Sequence, residues 1–314
     1  MILIDLKDFI DLFGTGNYRN IMRIIAKELA LSERTVEKAM IEGSEFSGRS
    51  AKKINDYFND NLPQSESTHD LEDMGPWGAF LHGWRLANTA PELFPNSIDL
   101  VIELSHLDKA LYDNRASPAR VVYLLQCSRI SDLLKDDLER IEKNPSEIQQ
   151  RECKALIKTK VMLYIIACFD AELLRLDGHA QDISLFNDLF YSEARPKKIW
   201  LEAWMKKIGV KNKAELAILC GRKLNLDPEI TRRYINRCIN PNETADTKIL
   251  NCLIQMSQPE FDIKIDKYRY YVALILQEIF KTFNCSHNQQ ILESLAILYS
   301  NCFDYWRSSL SSAH

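Results

Sequence analysis

Apolar residues recur at intervals of three and four along most of this 314-residue chain, and sustained alternation of apolar and polar positions is scarce. That period gathers side chains on one stripe of an α-helix and would scatter them over both faces of a strand. The expected fold is therefore all-α and multi-helical, with helices over 4–13, 17–29, 33–41, 50–59, 76–88, 97–111, 117–137, 145–176, 182–190, 197–207, 212–221, 228–238, 244–257, 265–283 and 287–312. With 46% of its residues hydrophobic, the chain has material for a sizeable core and is not expected to be disordered as a whole.

The most apolar run, Val161–Asp170, is about half the length that a membrane-spanning helix needs and has Lys158, Lys160 and Asp170 around it. It reads as a buried helix. The opening MILIDLKDFIDLF carries acids among its apolar positions and reads as an amphipathic helix, not a secretory signal. Eight dilute, irregularly spaced cysteines without a CxxC pair fit reduced thiols, and a cytoplasmic location is expected.

A formal net charge of −4 conceals a strong asymmetry. Residues 61–194 carry thirteen basic and twenty-two acidic groups, whereas residues 195–240 carry twelve basic and four acidic. A basic stretch of this kind suits a polyanion or an acidic protein surface. The polar, turn-rich residues 59–76 and the break at Arg195-Pro196 divide the chain into an N-terminal domain at 1–65, an acidic helical middle at 66–194 and a basic C-terminal helical domain at 195–314. The middle offers an oligomerisation or regulatory surface. Leu124, Leu125, Ile130, Leu133 and Leu134 are expected on one helix there.

The sharpest local pattern runs from Ile24 to Met40. Ala26 is small where a second helix must cross closely, Leu29 and Leu31 bracket a turn, and Ser32 can cap the helix that follows. Val36 then faces inward, leaving Glu33, Arg34, Glu37 and Lys38 on exposed faces. Through Ala26, Leu29, Ala30, Leu31, Ser32, Thr35 and Val36 the stretch resembles the helix-turn-helix family of lambda-repressor-like regulators, over roughly residues 17–60. The resemblance implies duplex DNA as partner and places Glu33, Arg34 and Lys38 at base edges. Ala30 departs from the pattern, because many members carry glycine at this turn position, which often needs positive φ.

A looser second pattern spans Lys213–Gly221 and Asp227–Asn236 and resembles the same family as a divergent copy. Gly221 is expected to stop the first helix. Asp227 caps the second, with Pro228 in its first turn, and Arg232, Arg233, Asn236 and Arg237 then cover an exposed arc suited to phosphates or base edges. The connection RKLNL is longer than the first turn. Ile249, Leu250, Leu253 and Ile254 are expected to support the pair from a further helix.

Catalysis finds little support. The six histidines lack partners at metal-ligand intervals, and Cys285 with His287 supplies two ligands where structural zinc needs four. His106 and Asp108 lie near no nucleophile elbow, and neither a GxGxxG nor a GxxxxGK[ST] segment occurs. The aromatic stretch Trp77, Phe80, His82, Trp84, Arg85 reads as helix packing. The expectation is a non-enzymatic DNA-binding regulator without cofactor or metal, in which the N-terminal recognition helix reads duplex and the basic region adds backbone contact. A homodimer or another protein is the further partner this reading admits, and its alternative is an all-helical interaction scaffold.

Overall fold

A computed structural model describes Leu3, Arg23, Ala26, Lys27 and residues 30–36, 95–177, 183–190, 195–241, 243, 247–256 and 260–312. The expected helices over 4–13, 50–59 and 76–88, the Trp77–Arg85 aromatics and Lys38 lie outside these residues. Every regular element among the described residues is helical. Ten longer helices follow in order: α1 Pro95–Asp113, α2 Pro118–Gln126, α3 Lys135–Lys143, α4 Arg151–Asp177, α5 Pro196–Lys207, α6 Lys213–Leu224, α7 Pro228–Ile239, α8 Thr247–Ile254, α9 Glu260–Thr282 and α10 Gln289–Ser312. Short 3-10 turns occupy Pro145–Gln149 and Asn187–Phe190. No described helix is long and apolar enough to cross a membrane. The chain divides into two compact units, Met1–Glu172 and Leu173–His314.

In the first unit, α4 is buried at every position from Val161 to Glu172, as a helix apolar on all sides must be. The single helix expected over 117–137 is instead two. α2 ends at Gln126, where Cys127 N–H still reaches the Tyr123 carbonyl and the Ser128 hydroxyl donates to the Leu125 carbonyl at 2.6 Å. A serine hydroxyl that bonds back to the preceding turn competes with helix continuation, and α3 restarts only at Lys135. Leu125, Ile130 and Leu134 are nonetheless buried, so the apolar stripe survives the break. The single helix expected over 145–176 is likewise a Pro145–Gln149 3-10 turn followed by α4, and the helix expected over 182–190 reduces, in the described part, to the turn at 187–190.

Three of the acids buried in this unit, Asp108, Asp137 and Glu172, meet hydrogen-bond donors. Asp137 accepts from Lys160 Nζ at 2.5 Å and faces Arg140 at 3.5 Å, while Arg140 also reaches Glu147 at 3.3 Å. Asp108 accepts from the Leu3 N–H at 2.7 Å. Glu172 serves the first turn of α1: its carboxyl oxygens accept from Asn96 N at 2.8 Å, Asn96 Nδ2 at 2.9 Å, Ser97 N at 3.0 Å and the Ser97 hydroxyl. Helix N-termini expose N–H groups with no intrahelical acceptor, and here a residue 75 positions away supplies one. Glu172→Ala leaves these donors buried and is expected to cost about 3 kcal/mol; Glu172→Gln, which keeps one acceptor oxygen, is expected to cost about half that. Urea unfolding of both variants measures the difference.

In the second unit, α5 lies against α9 through Trp200, whose ring sits 4.8 Å from that of Tyr270 and whose indole N–H donates to the Asp266 carbonyl at 2.9 Å. Lys207 pairs with the Asp266 carboxylate at 3.0 Å. Phe190 stacks on Tyr299 of α10 at 4.7 Å and meets Phe280 of α9 edge-on at 5.8 Å. Arg269 fastens the 187–190 turn by donating to the Leu185 carbonyl and to Asp188 at 2.7 Å. On this frame rest α6, α7 and α8.

Candidate nucleic-acid interface

α6 and α7 form a helix, a three-residue turn and a second helix. Asn212 opens α6 by accepting from the Ala214 and Glu215 N–H groups, both at 3.0 Å. Gly221 does not stop α6. It lies buried inside the helix, which continues through Arg222, Lys223 and Leu224, so the connection is Asn225-Leu226-Asp227 and not RKLNL. Asn225 takes the left-handed conformation, φ 53°, and Leu226 N–H then donates to the Gly221 carbonyl at 2.9 Å. Asparagine tolerates this region better than most residues. Asp227 caps α7 by accepting from Glu229 N at 2.8 Å and Ile230 N at 3.3 Å, and Pro228 occupies the first position, where no N–H is required.

The described part of the N-terminal pattern has the same construction. Ala30 is left-handed, φ 47°, and Leu31 N–H donates to the Ala26 carbonyl at 2.9 Å. Ser32 accepts from Thr35 N at 3.1 Å and opens the helical residues 33–36. Ala26 thus corresponds to Gly221, Ala30 to Asn225, Leu31 to Leu226, Ser32 to Asp227 and Val36 to Thr231, and Ala26, Gly221, Val36 and Thr231 are all buried. The departure at position 30 is accommodated: alanine adopts the positive φ itself. The same helix stop recurs at Gly209, where Val210 N–H reaches the Met205 carbonyl, and at Asn284, where Cys285 N–H reaches Phe280. The stop alone is therefore generic. What joins the 30–32 and 225–227 turns is that one leucine separates the left-handed residue from the next helix cap.

α7 buries Thr231, Ile235 and Cys238 and exposes Arg232, Arg233, Asn236 and Arg237. At 100° per residue these four lie on the arc opposite the buried stripe, with Arg233 near its centre. Arg232 pairs with Glu229 at 3.0 Å, and Arg237 pairs with Glu243 at 3.3 Å and lies 5.6 Å from the centre of the Tyr234 ring. All four carboxylate and guanidinium partners are about half exposed, so these ion pairs are weak and exchangeable. Arg34 is exposed, and Glu33, also exposed, pairs with Arg23 at 3.4 Å. α8 supports α6 and α7 through buried Ile249, Leu250, Leu253 and Ile254, as the sequence led one to expect.

Charge counting along 195–240 overstated the basic surface. Lys197 is buried, and its ammonium donates to the Asn240 carbonyl just past α7 and to the Glu243 carbonyl at 2.9 Å. Burial pushes its pKa below the ordinary lysine value, against the pull of nearby Glu278 and Glu243. Lys207 is likewise engaged by Asp266. The exposed positive charge on the helix pair comes from Arg222, Lys223, Arg232, Arg233 and Arg237. Lys197 was missed because its acceptors lie 43 and 46 residues away. Gly221 had a local signal: it precedes Leu226 by the same five residues that separate Ala26 from Leu31.

All eight cysteines are free thiols, and all but Cys127 are buried. Among the described residues no three His, Cys, Asp or Glu side chains are grouped to hold a metal. No protein-family model, no curated protein and no solved structure matches the chain.

Proposed function

We propose that the protein binds duplex DNA through two helix-turn-helix units, one around residues 23–36 and one formed by α6 and α7. The observation that carries this reading is the exposed Arg232, Arg233, Asn236 and Arg237 arc on a helix held at its start by a three-residue turn and an Asp227 cap. Arginine and asparagine present the forked donors and acceptors that meet phosphates, guanine and adenine edges. The tight turn brings α7 closer to the N-terminal unit in design than its sequence spacing implied, so α7 joins Arg34 and Lys38 as a base-reading element. Asn236, next to the outer centre of the arc, is its most specific reader.

Selection of preferred duplexes from a randomised pool tests the reading, followed by titration of Arg34→Ala, Lys38→Ala and Asn236→Ala on preferred and random duplex. Loss of about 1–3 kcal/mol on the preferred duplex alone is expected for a base contact. Failure to enrich any duplex at low salt would remove the proposal. A second reading, a protein-interaction scaffold, draws on Ile218, Leu219, Leu226 and Ile230, all exposed on the same helix pair. Salt-insensitive self-association without duplex binding is the outcome that favours it.

A further inference from the structure

α7 ends against an acid that is held from outside the helix. Asn240 caps α7, its N–H still reaching the Asn236 carbonyl at 3.1 Å, and the chain turns back past Pro241 so that the Glu243 N–H donates to the Asn240 carbonyl at 3.2 Å. Buried Lys197 of α5 donates to that same carbonyl and, at 2.9 Å, to the Glu243 carbonyl, so one ammonium pins both ends of the turn. The Glu243 side chain then reaches back toward α7: Oε1 accepts from Asn240 Nδ2 at 2.7 Å, and Oε2 lies 3.3 Å from Arg237 Nε. Glu229, the other acid paired on the arc, differs in kind. It stands on α7 itself, one turn before Arg232, and meets that residue's Nη2 at 3.0 Å.

On the reading that α7 binds duplex, we propose that Glu243 is an autoinhibitory latch on its arc, positioned by Lys197 and Asn240, which draws Arg237 away from phosphate and lowers affinity for every duplex. A half-exposed ion pair between two mobile side chains gains little, because ordering both chains offsets their attraction. Here the carboxylate is ordered already, by a main-chain anchor and an amide donor that Arg237 does not supply. When Arg237 leaves for a phosphate, the Glu243 carboxylate therefore stays where it is. Binding sets a fixed acid beside the phosphate that Arg237 contacts. Like charges at that range repel whatever the base sequence, so preferred and unrelated duplexes are penalised alike.

The test is titration of the full-length chain with preferred and unrelated duplexes at one fixed salt concentration. Glu243→Gln keeps the side-chain volume and an acceptor for Asn240, and should tighten binding to every duplex by about fivefold, the upper range for an exposed pair. In an Arg237→Ala background the same change should gain less than about twofold. An equal gain in both backgrounds would make Glu243 a plain repulsive charge and overturn the latch. Asn240→Ala frees one carboxylate oxygen and should tighten binding by about twofold; Lys197→Met, checked for helix content by circular dichroism, should do the same through the main chain. Unaltered affinity in Asn240→Ala and in a folded Lys197→Met protein would strip both residues of their positioning role. Unchanged or weakened binding by Glu243→Gln, where the unaltered protein binds duplex, overturns the latch and leaves the duplex-binding reading standing. Absence of duplex binding by the unaltered and Glu243→Gln proteins alike removes that reading and the latch with it.

Discussion

Gly221→Val is expected to destabilise the second unit by about 3 kcal/mol, although helix propensity alone predicts a gain. Glycine inside a helix ordinarily costs about 1 kcal/mol relative to alanine, so adding a side chain at an interior position should help. At Gly221 a Cβ would fall 2.8 Å from the Leu226 carbonyl oxygen and 3.3 Å from the Thr231 hydroxyl oxygen. The first contact is with backbone, which cannot rotate away. It also involves the segment whose Leu226 N–H closes the turn onto the Gly221 carbonyl, so relief of the clash loosens that bond. Gly221→Ala sets the same clash against the propensity gain and should cost about 1–2 kcal/mol. Urea unfolding of the full chain, with circular dichroism as the signal, compares the two variants. An unchanged or raised midpoint for both would show that α6 and α7 are not held at this distance.

The same position explains what was legible in the sequence and what was not. Helical class followed from periodicity, and the caps at Asp227 and Ser32 follow from residue types that accept from free N–H groups. Gly221 was taken for a helix stop because glycine is the common left-handed residue. Here the left-handed position belongs to Asn225, and glycine serves close packing instead. Likewise, the helix expected across 117–137 failed at Ser128, whose hydroxyl turns back to a carbonyl that continued helix would have used. Two features had no local trace at all. Lys197 reaches carbonyls beyond α7, and Glu172 caps a helix that starts more than seventy residues earlier. Periodicity records which face of a helix is apolar; it does not record which distant element meets that face.

The expected exposed arc on α7 leads to the largest effect on function. Replacing Arg232, Arg233 and Arg237 together with alanine should lower affinity for unrelated duplexes by two to three orders of magnitude at about 0.1 M salt. Each phosphate neutralised contributes about 0.9 to the slope of log affinity on log salt, so three contacts contribute about 2.7 across the decade from 1 M to 0.1 M. The slope itself should flatten by the same amount. The single variants should be unequal. Arg232 and Arg237 must first release Glu229 and Glu243, at 3.0 and 3.3 Å, whereas Arg233 lies exposed at the centre of the arc. Arg233→Ala should therefore give the largest single loss. Glu229→Gln should do the opposite and strengthen binding, because it removes an acid from the arc and frees the Arg232 guanidinium while leaving the Glu229 N–H in the Asp227 cap. Exposed pairs of this kind contribute at most about 1 kcal/mol, so neither the triple nor the Glu229 variant should shift the unfolding midpoint much. A folded triple variant with unaltered affinity and slope would take α7 away from DNA. Weakened binding after Glu229→Gln would show instead that the Glu229 carboxylate positions Arg232 for contact.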